Sequence, residues 1–400
     1  MFPRYRAILG FSLVEIMVGL VIGSVGIAAV LQLFALSEGQ RRSITGGGDA
    51  QIVGAAALKV LQSDIRQSGW SIRDINLLGC QLALRAGVAL NPLAPVAINP
   101  AAIPPGDANT DTLLILYGNS VFQPQGDAIN AQPALANAPP SGTPVLATSP
   151  VSPDIYTVQS AASFLAGDYV IAMPPTRPRP EPCTAALTQV INVGRGNAAN
   201  VNVTAGTGVA GTVNGRLYNL GTAPQMLAYA VRGGNLTVCN YMVSNCGSTA
   251  DLSDPTVWRP IGEGVVSLRA QYGRDTRVVV LAPTVTSFDA IVDTYDISTP
   301  PQGVPDPVSI QFTATQCGWA RIAALRMALV VRDGELIKPS SSGTHVTSAA
   351  PTWAGSDISP INLTAVSAAT GFDWRDYRYR LFQTVIPLRN SAWMGVDNGC

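Results

Sequence analysis

Histidine is almost missing from this chain: His345 is the single imidazole in 400 residues. Ser-His-acid hydrolysis needs a positioned imidazole to take the serine proton. His345 stands in Ser340-Ser341-Ser342-Gly343-Thr344-His345, a polar run that reads as a loop. The sequence therefore argues against an enzyme, and no catalytic residue is assigned. No C-x-x-C pair occurs, which removes the usual zinc spacings. No Gly-Lys-Ser/Thr phosphate loop follows a strand, and Gly206-Thr207-Gly208 is too short to stand for one. Asp289, Asp293 and Asp296 match no calcium-loop spacing and read as solvated carboxylates. Neither a metal nor a cofactor is expected.

Charge is scarce as well, at 12% of residues and zero net. Residues 1–85 hold eight basic and five acidic side chains; residues 86–176 hold five Asp and no Lys or Arg. No segment is basic enough to make nucleic acid the main partner. Arg375, Tyr377, Arg378, Tyr379 and Arg380 do interleave cations with rings, as single-strand binders do. On a strand, however, Arg378 and Arg380 share one face and Tyr377 and Tyr379 the other. That split predicts buried tyrosines and exposed arginines rather than a stacking platform.

What is plentiful is apolar residue, 47%, with 38 Gly and 30 Pro. This describes a loop-rich, strand-rich exported body. All six cysteines (Cys80, Cys183, Cys239, Cys246, Cys317, Cys400) follow one long apolar run. An even count in an exported chain reads as disulfides, with free buried thiols the alternative. Cys239 and Cys246 are close enough in sequence to close one loop, and the pairing of the other four stays open.

The apolar run, Phe11 to Leu36, follows the short leader Met1–Gly10 with Arg4 and Arg6. At about 1.5 Å per residue it spans about 39 Å, ample for a hydrocarbon core of about 30 Å. Its anomaly is Glu15. A carboxylate in mid-membrane costs roughly 3 kcal/mol, so Glu15 needs a partner. A cut after Gly10 frees the amine of Phe11, and a neighbouring helix of the same kind then offers that cation. A signal peptide has a shorter apolar core, and a plain single-pass anchor leaves the Gly10-Phe11-Glu15 spacing unexplained. Gly19, Gly23 and Gly26 add a small-residue face on which helices approach closely.

Beyond the run, Gly46-Gly47-Gly48 predicts an interruption, at about 1 kcal/mol per glycine. A second, amphipathic helix is expected over Asp49–Ser68: Val53, Ala57, Leu61 and Ile65 step by four on one face, with Lys59, Gln62, Ser63, Arg66 and Gln67 on the other. Ala86 to Asn109 reads as a long loop and Phe122 to Pro153 as a Pro/Ala-rich surface excursion. Strands are expected at Asp111–Tyr117, Gly167–Met173 and Tyr377–Leu388, and a hairpin joins Gln225–Arg232 to Asn235–Met242 through Gly233-Gly234. Val266, Leu268, Ala270 and Tyr272, and likewise Ala323 to Val331, alternate as half-buried strands.

The residues Gly10, Phe11 and Glu15 match the processing motif of type IV prepilins. Asp64-Ile65-Arg66-Gln67-Ser68-Gly69-Trp70 with Gly79-Cys80, Trp258-Arg259-Pro260, Gly262 to Leu268, Gln271-Tyr272-Gly273-Arg274-Asp275-Thr276, Leu325 to Arg332 and Val385-Ile386-Pro387-Leu388-Arg389-Asn390 together resemble the PilW family of minor pilins. The resemblance implies cleavage after Gly10 by a prepilin peptidase, N-methylation of Phe11, and filament assembly through Glu15, Gly19 and Gly23. It implies a minor pilin that primes type IV pilus assembly near the tip, with other minor pilins, the major pilin and a PilY-type tip protein as partners. The chain would sit once through the bacterial inner membrane, body in the periplasm, and later at the pilus tip on the cell surface. The J-type minor pseudopilin of type II secretion is a close relative in fold, and a membrane-anchored extracellular binding protein or adhesin is the reading from another class. The expected architecture is α+β: leader 1–10, membrane and filament-core helix 11–36, periplasmic amphipathic helix 37–76, a first β-rich portion 77–211 and a second 212–400.

Overall fold

The computed structural model describes residues 12–121, 125–130, 154–177, 183–194, 199–276, 279–281, 285–287, 289–300, 312–337, 339, 343–391, 394 and 400. One α-helix, Leu13–Gln67, runs unbroken for 55 residues. The interruption expected at Gly46–Gly48 is therefore corrected, and Asp49–Ser68 is the lower end of one rod rather than a second helix. Glycine weakens a helix through backbone entropy without removing any backbone hydrogen bond. A packed segment alongside, from Ala50 onward, supplies the continuity that propensity does not.

That lower end lies on a four-stranded antiparallel sheet ordered Thr294–Asp296, Val265–Arg274, Ile322–Arg332, Tyr379–Pro387. Ala57, Leu61 and Ile65 are buried there, each at 1% exposure or less. Gly54 is where helix and sheet come closest: a Cβ on it would lie 2.0 Å from Phe382 Cε2. Only a residue without a side chain lets the ring occupy that place.

The two long strands are buried on both faces, not one. Trp353, Ile361, Leu363, Val366 and Tyr377 cover Val266, Ala328 and Val330 in an apolar cluster of their own. Beneath this layer Gln271 is fully buried, donating to the Gly355 carbonyl at 2.9 Å and accepting from the Arg326 guanidinium. Alternation in the sequence predicted a wet second face, but the chain after Arg332 folds back over it.

A five-stranded antiparallel sheet, Arg259–Glu263, Asn235–Asn240, Gln225–Arg232, Leu113–Tyr117 and Val96–Ile98, joins the same core. Its hairpin turns at Gly233 and Gly234, both with positive φ (57° and 72°), and Asp107 accepts from both of their N–H groups. Val88–Leu90 and Val96–Ile98 are strands inside the stretch expected to be a loop, a second correction. They are too short to show a period. The third sheet contains Gln81–Arg85, Thr184–Val193, Tyr169–Met173 and Arg216–Gly221. It carries a separate apolar cluster around Tyr156, Phe164, Val170 and Leu217.

The division expected between 211 and 212 is not one the sheets follow. Arg216–Gly221 pairs with Tyr169–Met173, and Gln225–Arg232 pairs with Leu113–Tyr117. Pairing partners far apart in the chain cannot be seen in local pattern.

Three disulfides tie the body together: Cys80–Cys183, Cys239–Cys246 and Cys317–Cys400. Cys80 and Cys183 immediately precede two strands that pair in parallel, with Gln81 opposite Thr184. The bridge thus fixes the register of the parallel pair, the other strand pairs among the described residues being antiparallel.

Candidate assembly surface

The upper end of the rod, Leu13–Phe34, has a mean hydropathy of 2.3 and 0% of it is buried. It is the one helix among the described residues long and apolar enough to cross a membrane. Leu13, Leu20, Ile22 and Phe34 are each more than 60% exposed. Exposed apolar surface on this scale marks a binding or membrane face. Gly10 and Phe11 lie outside the described residues.

Glu15, Gly19, Gly23 and Gly26 follow one another at intervals of four, four and three, which sets them on one side of the helix. Each of the three glycines faces open space, with nothing within 4 Å of an added Cβ. The contrast with Gly54 is direct. Packing inside the chain explains Gly54; it does not explain the upper glycines.

At the lower end the rod is pinned by side chains. The Asp64 carboxylate accepts from the Tyr117 hydroxyl at 2.8 Å and from the Tyr229 hydroxyl. Burial first, and then the hydrogen bond to Asp64, raises the Tyr117 hydroxyl above its ordinary range. Burial and the nearby Asp64 charge do the same to Tyr229. Gln62 donates to Thr384 Oγ1 at 3.0 Å. At the last turn, Asn390 Nδ2 donates to the carbonyls of Gln67 and Ser68, both at 3.0 Å, and Gly69, with φ of 81°, turns the chain away. These are carbonyls that a helix end leaves without an intrahelical partner.

The other sequence candidates are dispersed. His345 Nδ1 lies 2.6 Å from Asp376 Oδ1, and Arg375 pairs with Asp373 at 2.7 Å, holding that carboxyl down to about 2. Tyr377 is buried while Arg378 and Arg380 are exposed. Asp296 pairs with Arg274 at 2.7 Å, and Asp293 accepts from the Thr276 N–H. Among the described residues no group of three His, Cys, Asp or Glu is arranged to hold a metal. Sequence reasoning assigned no role to Gly54, Phe382, Asp64 or Asn390. Asp64 and Asn390 lie in stretches singled out for their resemblance, but the helix end they fasten exists only in three dimensions.

Residues 241–390 match the family model described as Type IV Pilus-assembly protein W, PilW. The match covers 150 of the chain's 400 residues. No curated protein matches the chain. Among solved structures, a type IV-like pilin from Thermus thermophilus is similar at 11% identity, covering 57% of this chain and 86% of that one, with a TM-score of 0.19. The matched stretch contains Val265–Arg274, Ile322–Arg332 and Tyr379–Pro387, the three long strands under the rod. Its final residue, Asn390, is the one that caps the helix.

Proposed function

We propose that the chain is a minor pilin that primes type IV pilus assembly at the pilus tip. A single observation carries this: a wholly exposed apolar helix segment, bearing Glu15 and three unpacked glycines on one side, leads into a body whose stretch matching the PilW model grips the lower half of the same helix. The function is contact, not catalysis. A prepilin peptidase cuts after Gly10 and Phe11 is N-methylated. The helix waits in the inner membrane with the body in the periplasm. On entry into the filament, Glu15 takes the amine of an adjoining subunit, and Gly19 and Gly23 let the helices approach. Other minor pilins, the major pilin and a PilY-type tip protein are the partners.

Glu15→Gln keeps the shape and removes the charge. Its expected outcome is an anchored, folded protein with normal disulfides and a loss of surface pili and twitching. Normal piliation in that variant refutes the reading, and lost exoprotein export with normal pili moves the chain to a secretion system.

A further inference from the structure

Tyr379–Pro387 ends the four-stranded sheet with nine residues, about 30 Å at the usual rise of a strand. The other strands that end a sheet among the described residues are two to five residues long. Long edges are normally blunted by lysine, by a bulge or by proline within the strand. Here the register runs from Arg332 opposite Tyr379 to Ala324 opposite Pro387 without a shift, no lysine is present, and the one proline stands at the far end. The one charge, Arg380, leans toward the rod, 3.6 Å from where Gly47 would carry a Cβ.

The bonds at the two ends of this strand pair fix which backbone groups face out. The Asp333 N–H donates to the Arg378 carbonyl at 2.8 Å and the Leu388 N–H to the Ala323 carbonyl at 2.9 Å, so even-numbered residues bond inward. Tyr379, Leu381, Gln383 and Val385 therefore turn N–H and C=O to the open side, where nothing among the described residues bonds to them. Pro387 follows the same parity, and its missing N–H falls where no internal bond is lost.

We propose that this edge accepts an added β-strand from a different protein. A row of N–H and C=O groups at strand spacing is matched by one kind of ligand, an extended polypeptide. Side chains set the rest of its chemistry. An acidic or polar residue belongs beside Arg380, which makes no hydrogen bond or ion pair among the described residues, and an apolar one beside Val385, 50% exposed. A second copy of this chain is disfavoured by direction. Gly54 lies beside Phe382 and Gln62 beside Thr384, so strand and rod run the same way. Identical edges pair antiparallel about a two-fold axis, which would send the two apolar helix segments to opposite ends, an arrangement closed to copies anchored in one membrane.

The test uses the full chain in detergent micelles, with amide hydrogen exchange read residue by residue. The probe is a short synthetic peptide alternating Val with Thr and Glu. In the free chain the N–H groups of Leu381, Gln383 and Val385 are expected to exchange at least about tenfold faster than those of Phe382 and Thr384. The peptide should slow the fast set. Copies of it N-methylated at alternate residues separate its two edges: one set abolishes the protection and the other leaves it. Val385→Pro removes an outward N–H and should weaken peptide binding about tenfold, whereas Val385→Thr keeps that N–H and should bind as the parent does. Melting temperatures of both variants check that the body is intact. Slow exchange of the outward amides in the free chain overturns the proposal, as does a peptide that protects none of them or equal binding by both N-methylated sets. Protection that appears when the chain alone is concentrated overturns it too, because the occupant is then a second copy. The inference goes beyond the pilus-subunit reading, and every readout is made on the purified chain, so normal piliation in Glu15→Gln would refute that reading and leave this one standing.

Discussion

The two ends of one helix obey opposite rules. From Leu13 to Phe34 the apolar residues surround the rod and none is covered. From Ala50 to Ser68 burial follows a single side, through Ala57, Leu61 and Ile65, with Lys59 and Arg66 left exposed. Glycine changes meaning along the same element: at Gly54 it admits the Phe382 ring, at Gly19 and Gly23 it touches nothing. Within a folded chain, a feature that local contacts account for belongs to stability. One that they leave unaccounted for points to a partner outside the chain.

The sharpest break of this contrast is at the packed end. Leu61→Asp places a carboxylate in a site with 0% exposure, at a cost above about 4 kcal/mol. No cooperative thermal melt of the body is expected, whereas the same change at the exposed Leu20 leaves the melt in place. Gly54→Ala should destabilise by about 1–3 kcal/mol through overpacking, measured by denaturant unfolding. Combining it with Phe382→Leu should recover part of that loss, since the three nearest atoms all belong to the ring. Asn390→Ala removes the donor to Gln67 and Ser68 and is expected to cost about 1 kcal/mol, with faster amide exchange confined to the last helical turn.

The smallest effect concerns pH. Burial pushes the Tyr241 hydroxyl from 10.0 up to about 12. A raised folded-state value means that its contribution is complete below pH 10 and is lost as pH climbs toward 12, because the unfolded chain gives up that proton first. Tyr241→Phe should flatten this part of the alkaline stability curve; an unchanged slope contradicts the assignment. No comparable change is expected from substitutions along Leu13–Phe34, which is left uncovered among the described residues.

Legibility in the sequence followed the same divide. Leu61 and Ile65 announced their side by spacing, and the Gly233-Gly234 hairpin by its turn chemistry, because both depend on neighbours a few residues away. Glu15 stood out because a carboxylate in an apolar run is a local anomaly. The partners of Cys80 and Cys317 are illegible: Cys80 meets Cys183 across 103 residues at the start of a parallel strand pair, and Cys317, in the short helix Ala314–Ala320, meets Cys400 across 83. So was the second burial of Val265–Arg274: its alternation was real, but the layer from Trp353 to Tyr377 that covers it lies far along the chain. Helical continuity through Gly46–Gly48 is illegible because propensity is summed locally, while the support comes from the packing that begins at Ala50.

The contacts between rod and edge strand also have a direction. Gly47 meets Arg380, Gly54 meets Phe382, Gln62 meets Thr384 and Gln67 meets Asn390, so both elements advance together. A tensile load applied along the rod therefore falls on all these fastenings at once, in shear, rather than peeling them one after another. Such a load passes from the rod through Ala57, Leu61 and Ile65 into the core cluster that they share with the sheet.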